Sequence, residues 1–336
     1  MYQIIQEFNP QQFIDVVRSN ESFALTTHIN PDGDALGSEI GLAEWLMSIG
    51  KKVTVINCSP LPEQYYFLEQ VRPIVEYYDP AKHDAHILAS DAFLMLDTND
   101  PERTKNMKEL FSKHDFPVLI DHHLEPKDFA KVRLIDTEAT STGEMIYRLI
   151  DAGQKVFGGS ISAKAAQALY VAIMTDTGSF RFPRTDSDIL RISASLIDLG
   201  ADPVSAYNDT YNAAKPSRLK LVAKALASLQ FFFDERLATQ VITQADLKSA
   251  NANAEEVDGF VQFPLQIGTL DFSIFFLQLP EGWKISFRSR GEKSAAEVAK
   301  HFGGNGHFHA AGARLRQEIS FEDLLKQVCD AVAEQL

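Results

Sequence analysis

Cysteine is nearly absent. Cys58 and Cys329 are the only two in 336 residues. They lie far apart and show no paired spacing, so no disulfide framework is expected, and a reduced, cytoplasmic protein is the natural reading. Long apolar runs are missing too, which argues against a membrane span. Residues 1–7 lack a basic stretch followed by an apolar core, so no signal peptide is expected. Internal repeats and low-complexity tracts are absent. Cations are in short supply: 32 Lys and Arg stand against 46 Asp and Glu, for a net charge of −14. A broad nucleic-acid face needs clustered Lys and Arg, so a long duplex partner is not expected. A small anionic substrate is not excluded, because a few cations or bound metal ions can reverse the field inside one cleft.

What is present is ordinary globular material, 45% hydrophobic and 23% charged, in a chain long enough for two domains. Asn9-Pro10 reads as a helix start, with Asn9 as cap and Pro10 at the first helical position. Strands are expected at 23–27, 52–57, 92–96, 116–120 and 132–135. Helices are expected at 10–18, at 35–49 and from Pro101 onward. This β-α-β rhythm predicts a doubly wound, mostly parallel sheet with helices on both faces. From Ser141 to about Leu199 the pattern turns helical, and 161–175 is the most apolar helix. After Lys215-Pro216-Ser217 the rhythm changes to hairpins at 231–243 and 269–290, then short helices at 294–302 and 321–334. We therefore expect an α/β chain with a catalytic domain at 1–190, a helical linker at 191–224, and a smaller α/β domain with a mixed or antiparallel sheet at 225–336. The active site is expected in the cleft between the domains.

The chemistry gathers at segment ends. Asp121-His122-His123 follows a short apolar strand, where open α/β sheets place their ligands. His28, Asp32 and Asp34 fall in one loop, with Pro31 and Gly33 allowing a sharp turn. Asp97 follows another apolar strand. Asp176 ends an apolar helix, where the dipole disfavours an uncompensated carboxylate. Each alone also reads as a turn, a cap or a solvated histidine. Together, His28, Asp32, Asp34, Asp97, His122 and Asp176 offer four carboxylates and two imidazoles. Their summed charge is one that two divalent cations cancel. Mixed His and Asp ligation suits Mn²⁺, with Co²⁺, Zn²⁺ and Fe²⁺ also open on ligand type. Two metals about 3.5–4 Å apart can clamp the attacking and leaving oxygens of a phosphoester. In the second domain, Gly303, Gly304, Gly306 and Gly312 form a glycine-rich run able to face an anion. Arg288 and Arg290 end a strand with guanidiniums suited to phosphate.

His28-x-x-x-Asp32-x-Asp34, Asp97, Asp121-His122-His123 and Asp176 resemble the four motifs of DHH-superfamily phosphoesterases. The run from Gly303 to Gly312 resembles the GGGH-x-x-AAG signature of the DHH-associated C-terminal domain, with Asn305 in place of the third glycine. The motifs keep the family order and span nearly the whole chain. Without transmembrane, PAS or OB modules, the chain looks like the NrnA-like branch of bifunctional oligoribonucleases and 3′-phosphoadenosine-5′-phosphate (pAp) phosphatases. Family II pyrophosphatases share the first domain but lack the glycine-rich end. The resemblance implies two divalent ions, Mn²⁺ above all. One would be held by His28, Asp32 and Asp97, the other by Asp34, Asp97, His122 and Asp176. It implies Asp121, His123 and Arg103 as catalytic residues, with Asp121 supporting the site, His123 against the scissile phosphate and Arg103 near it. It implies Arg288, Ser289, Gly304, Gly306 and His307 as the grip on the nucleotide end. The expected reaction is attack by a metal-activated hydroxide on short oligoribonucleotides and pAp, giving mononucleotides. Alternatives are a cyclic-di-AMP or pApA phosphodiesterase, a RecJ-type single-strand exonuclease, or a non-catalytic nucleotide-binding protein. Partners are short RNA or small nucleotides, and a homodimer is left open.

Overall fold

The structure is a computed structural model describing residues 4–212, 215–316 and 319–336; the side chain of His307 lies outside the described residues. The chain divides into two compact units, Met1–Ala213 and Ala214–Leu336. Among the described residues, no helix is long and apolar enough to cross a membrane.

In the first unit the elements run α1 (Pro10–Ser19), β1 (Ser22–Thr26), α2 (Gly33–Ser48), β2 (Lys52–Asn57), β3 (Val75–Tyr77), α3 (Pro80–Leu88), β4 (Ala92–Leu96), α4 (Lys108–Lys113), β5 (Pro117–Asp121), β6 (Val132–Ile135), α5 (Thr142–Phe157), α6 (Ala163–Asp176), α7 (Ser187–Asp198) and α8 (Pro203–Tyr211). Asn9 caps α1, accepting the Gln11 amide at 3.0 Å, with Pro10 opening the helix. The strands pair in parallel, in the order β3-β2-β1-β4-β5-β6. Strands β4 and β5 are buried at every position. Both faces of the sheet are covered, so their apolar residues run on without alternation. Phe23, Leu25, Leu94 and Val118 face a core shared with α1, α2, α5, α6 and α7. Ala24, Phe93, Met95 and Leu119 face a second core closed by Ile87 of α3 and Leu110 and Phe111 of α4.

Strand order reverses between β1 and β4. The chain winds outward through β2 and β3, returns to the middle, and winds the other way through β5 and β6. Loops leaving β1 and β4 therefore diverge to opposite faces, opening a crevice at their carboxyl ends. Helix α2 lies against both α5 and α6. Its glycines 33, 37 and 41 recur every fourth residue and so share one face. A Cβ on Gly37 would collide with the Ala168 carbonyl oxygen, and one on Gly41 would come within 2.6 Å of the Leu169 side chain. The glycine stripe lets α2 and α6 approach almost backbone to backbone.

In the second unit come α9 (Pro216–Ala227), β7 (Gln230–Phe232), β8 (Leu237–Ile242), α10 (Gln244–Ala250), β9 (Phe272–Leu279), β10 (Gly282–Ser289), α11 (Ala295–Lys300), β11 (Asn305–His307), β12 (Ala310–Leu315) and α12 (Phe321–Ala333). Its sheet has the order β11-β12-β10-β9-β8-β7. The pairs are antiparallel except β8 with β9, so the sheet is mixed. Residues expected in a helical linker are shared out: α7 and α8 pack on α6, while α9 packs on α10 and β8.

Candidate metal centre

The Thr27 hydroxyl donates to the Leu96 carbonyl at 2.8 Å, tying the end of β1 to the end of β4. The next residue in each strand direction is a candidate ligand, His28 and Asp97. Asp32 caps α2, its Oδ1 accepting the Asp34 and Ala35 amides at 3.1 Å each. Asp34, in the first turn of α2, is fully buried. It accepts the amides of Thr142 at 2.7 Å and Gly143 at 2.8 Å, at the start of α5. Two helix N-termini thus point their positive ends at this cluster of acids. Asp97 leaves β4 with φ 58°, a left-handed backbone rare for a residue with a Cβ. It is buried and accepts the Thr142 hydroxyl at 2.9 Å. Such a cost is kept where geometry matters to function.

The histidines are aimed by their far nitrogens. His28 has Nδ1 2.9 Å from the Ile29 carbonyl oxygen, and His122 has Nδ1 3.3 Å from that of Ala139. A proton on each Nδ1 leaves the Nε2 lone pair facing the carboxylates, the arrangement metal-ligating histidines adopt. His122 Nε2 lies 3.3 Å from Asp176, 3.6 Å from Asp97 and 3.7 Å from Asp34. His28 Nε2 lies 3.6 Å from Asp97 and 3.9 Å from Asp32. Most of these gaps are wide for hydrogen bonds and match the spacing of two ligand atoms around a shared cation. Three sets of donor atoms lie within 4.8 Å of one another: His28, Asp32 and Asp97; Asp34, His122 and Asp176; and Asp97, His122 and His123. These residues fit a pair of divalent ions, with Asp97 common to two of the sets.

Electrostatics supports the same fit. Burial, with Asp97 next, drives Asp34 well above the ordinary carboxylate range. Burial, with Asp32 next, does the same to Asp97 and lifts Asp176 to about 7. Burial, with His123 next, lowers His122 to about 4, and burial lowers His28. A cluster that resists both charged carboxylates and charged imidazoles lacks positive charge that is not a proton. Bound cations supply it and invert these preferences.

Asp121 is placed differently. Burial pushes its carboxyl up, but the His123 ring and charge outweigh that and leave it below the usual range. It holds His123 by two bonds, from Nδ1 at 2.8 Å and from the backbone amide at 3.0 Å. Burial disfavours a charged His123, yet Asp121 prevails and lifts it to about 10. The Arg103 carbonyl accepts the Ile29 amide at 2.8 Å, and its guanidinium charge is felt at His28 and His123. Asp32 is the exposed member of the cluster, and Asp176 and His123 are partly exposed. The open side of the centre therefore runs past Asp32 and Asp176.

Sequence reasoning missed three contributors. Thr142 and Gly143 reach Asp34 from more than a hundred residues away. The only local signal, Ser141-x-x-Glu144, announces a helix start and nothing more. Arg184 donates to the Ala139 carbonyl at 3.1 Å, the same oxygen His122 uses, and its charge reaches His122 and Asp176.

The remaining candidates lie in the second unit. Arg288 is half-buried and donates to the Phe287 carbonyl at 3.0 Å; burial lowers its pKa, with Asp258 opposing. Ser289 is buried, its hydroxyl donating to the Lys293 carbonyl at 2.7 Å and accepting the Ala295 amide at 3.1 Å. Gly304 and Gly306 pack so closely on β12 that a Cβ on either would strike main-chain atoms. The expected role of the His307 ring falls outside the described residues.

The fold and this donor set define a phosphoester hydrolase of the α/β class. The DHH family, N-terminal domain, matches residues 22–173, and the DHHA1 domain matches residues 234–334. The chain belongs to the DHH phosphoesterase family, in the two-domain DHH–DHHA1 form. It is 31% identical over 312 residues to the bifunctional oligoribonuclease and PAP phosphatase NrnA of Thermus thermophilus, covering 93% of this chain and 89% of that one. It is 26% identical to the protein of the same name from Bacillus subtilis, covering 90% and 92%. A crystal structure of an exopolyphosphatase-related protein from Bacteroides fragilis superposes with a TM-score of 0.89 at 28% identity, covering 97% of this chain and 95% of that one.

Proposed function

We propose that this chain hydrolyses short 5′-phosphorylated oligoribonucleotides and pAp to nucleoside monophosphates, using two divalent ions, Mn²⁺ by preference. The observation that carries the reading is Asp97, whose carboxylate belongs both to the set with His28 and Asp32 and to the set with His122. A carboxylate shared in this way is what a paired-ion centre requires. His28, Asp32 and Asp97 would hold one ion, and Asp34, Asp97, His122 and Asp176 the other.

Such ions, when bound, supply a hydroxide at neutral pH and Lewis-acid charge against the phosphoryl oxygens. The rest is done by the chain. Asp121 orients the His123 ring so that it can donate to a phosphoryl oxygen as negative charge builds there. Arg103 and Arg184 add positive charge to the walls of the site. A water-derived oxygen would bond to phosphorus as the bond to the leaving oxygen breaks, and the leaving oxygen would take a proton from solvent. Arg288 in the DHHA1 domain would bind a phosphate of the substrate.

A panel of pAp, cyclic-di-AMP and 5′-phosphorylated di- to pentaribonucleotides, with Mn²⁺ and after chelation, tests this. Turnover of pAp and the shortest RNAs is expected, lost on chelation, restored by Mn²⁺ and abolished in Asp97→Asn. Preference for cyclic-di-AMP would redirect the assignment, and turnover by Asp97→Asn would remove that carboxylate from its shared role.

A further inference from the structure

Two tyrosines that the metal centre does not use stand beside its open side. Helix α8 buries only Ala206. Val204, Tyr207 and Tyr211 remain 68%, 45% and 43% exposed. Their spacing of three and four places all three on one helix face. The Tyr207 and Tyr211 rings lie 5.0 Å apart between centroids, tilted by 57°. Two large aromatics held together on a short helix, each a little under half exposed, leave ring surface open to a partner.

Their position follows from how α8 is pinned. Gln167 in α6 accepts the Asp202 amide at 2.7 Å and donates to the Asp202 carbonyl at 3.3 Å, fixing the start of α8 beside the first half of α6. Helix α6 then runs nine residues to Asp176, and α8 runs nine residues from Asp202 to Tyr211. At about 1.5 Å per residue each covers a similar length beyond that pin, and α8 packs against α6. Electrostatics agrees. Burial, then Tyr207, with the Asp176 carboxylate also contributing, raises the Tyr211 phenol, against Ser179 and Arg181. Buried Tyr65, in the 3-10 turn against which α8 packs, senses both Asp32 and Tyr211. Tyr211 thus lies within electrostatic reach of Asp176, and Tyr65 lies within reach of both Tyr211 and Asp32. The turn after Asp176 is itself strained: Gly178, Ser179 and Phe180 take φ of 57°, 60° and 64° in succession. For residues with a Cβ such a backbone is costly, and it persists where surroundings impose it.

We propose that Tyr207 and Tyr211 form a stacking platform for a nucleobase of the substrate whose phosphate lies at the metal centre. The inference rests on the nucleotide reading above and adds a base-recognition element to it. Stacking accepts any base, because every base presents a π face. The platform therefore discriminates nucleotides from phosphate esters that carry no base, without reading sequence.

The test uses the full chain with Mn²⁺. KM is compared for a 5′-phosphorylated diribonucleotide and for its abasic analogue, in wild type, Tyr211→Ala, Tyr207→Ala and Tyr211→Phe. In the alanine variants the KM of the base-bearing substrate is expected to rise about ten- to hundredfold more than that of the abasic analogue. Tyr211→Phe is expected to recover most of the difference, since the ring suffices. Equal changes on the two substrates, or none, overturn the platform. So does a change confined to oligomeric state by light scattering, which would make the tyrosines a contact between copies. If wild type turns over neither compound, the nucleotide-hydrolase reading fails on its own. Binding of 2-aminopurine riboside 5′-monophosphate, followed by its fluorescence, then decides the platform: quenching in wild type that Tyr211→Ala loses supports it, and no quenching sinks it.

Discussion

Thr142 donates its hydroxyl to Asp97 at 2.9 Å while its own amide, 2.7 Å from Asp34, holds the other buried acid. One residue at the head of α5 thus orients two candidate ligands, one in the first turn of α2 and one at the end of β4. Thr142→Val keeps the shape and removes only the hydroxyl. Outer partners of this kind commonly carry about ten- to hundredfold in metal affinity. A calorimetric Mn²⁺ titration of Thr142→Val should show a loss of that size with the thermal melt of the metal-free protein little changed. An unaltered isotherm would reduce the contact to packing.

Close approach of α2 and α6 sets Asp34 against Asp176. Gly37 is central to it, since a Cβ there would meet the Ala168 carbonyl oxygen and the Ala172 side chain. Backbone cannot yield as a flexible side chain can, so Gly37→Ala must push the helices apart. Overpacking of this kind costs about 1–3 kcal/mol. Both stability and Mn²⁺ affinity are expected to fall, because the displaced helices carry one acid each. Lost stability with unchanged affinity would show that the ligands do not depend on the helix packing.

Much of this was readable from the chain. Strands 52–57, 92–96 and 132–135 match β2, β4 and β6 residue for residue, because buried parallel strands are written as short apolar runs bounded by turn residues. The candidate ligands were legible because they sit at the end of such a strand, in the loop and first helical turn after one, or at the end of an apolar helix. Elements with little burial were not: β3 has three residues, none buried, and α3 buries only His83 and Ile87. Thr142, Gly143 and Arg184 escaped for another reason. Their roles are hydrogen bonds to partners distant in sequence, and neither periodicity nor local spacing encodes such a pairing. The glycines of α2 were visible as letters, yet helical propensity counts them as weak points, and only the packed α6 explains them.

Glu39 of α2 is fully buried beneath this apparatus. Asn57 donates to its Oε2 at 2.7 Å, while Oε1 has no partner among the described residues. Burial pushes the carboxyl from 4.5 up to about 8, with Asn57 pulling against it. Between those two pH values the folded chain binds a proton that the unfolded chain has released. Stability therefore falls as pH rises across that window and levels off above it. The upper limit of the effect is on the order of 5 kcal/mol. Glu39→Gln keeps the shape and cannot ionise. Metal-free Glu39→Gln should melt above wild type at pH 8, with the gap narrowing steadily toward pH 5. Taking the difference between two proteins that share every other titrating group isolates this one carboxyl. A gap that stays constant across the range would mean that Glu39 is not held neutral in the fold.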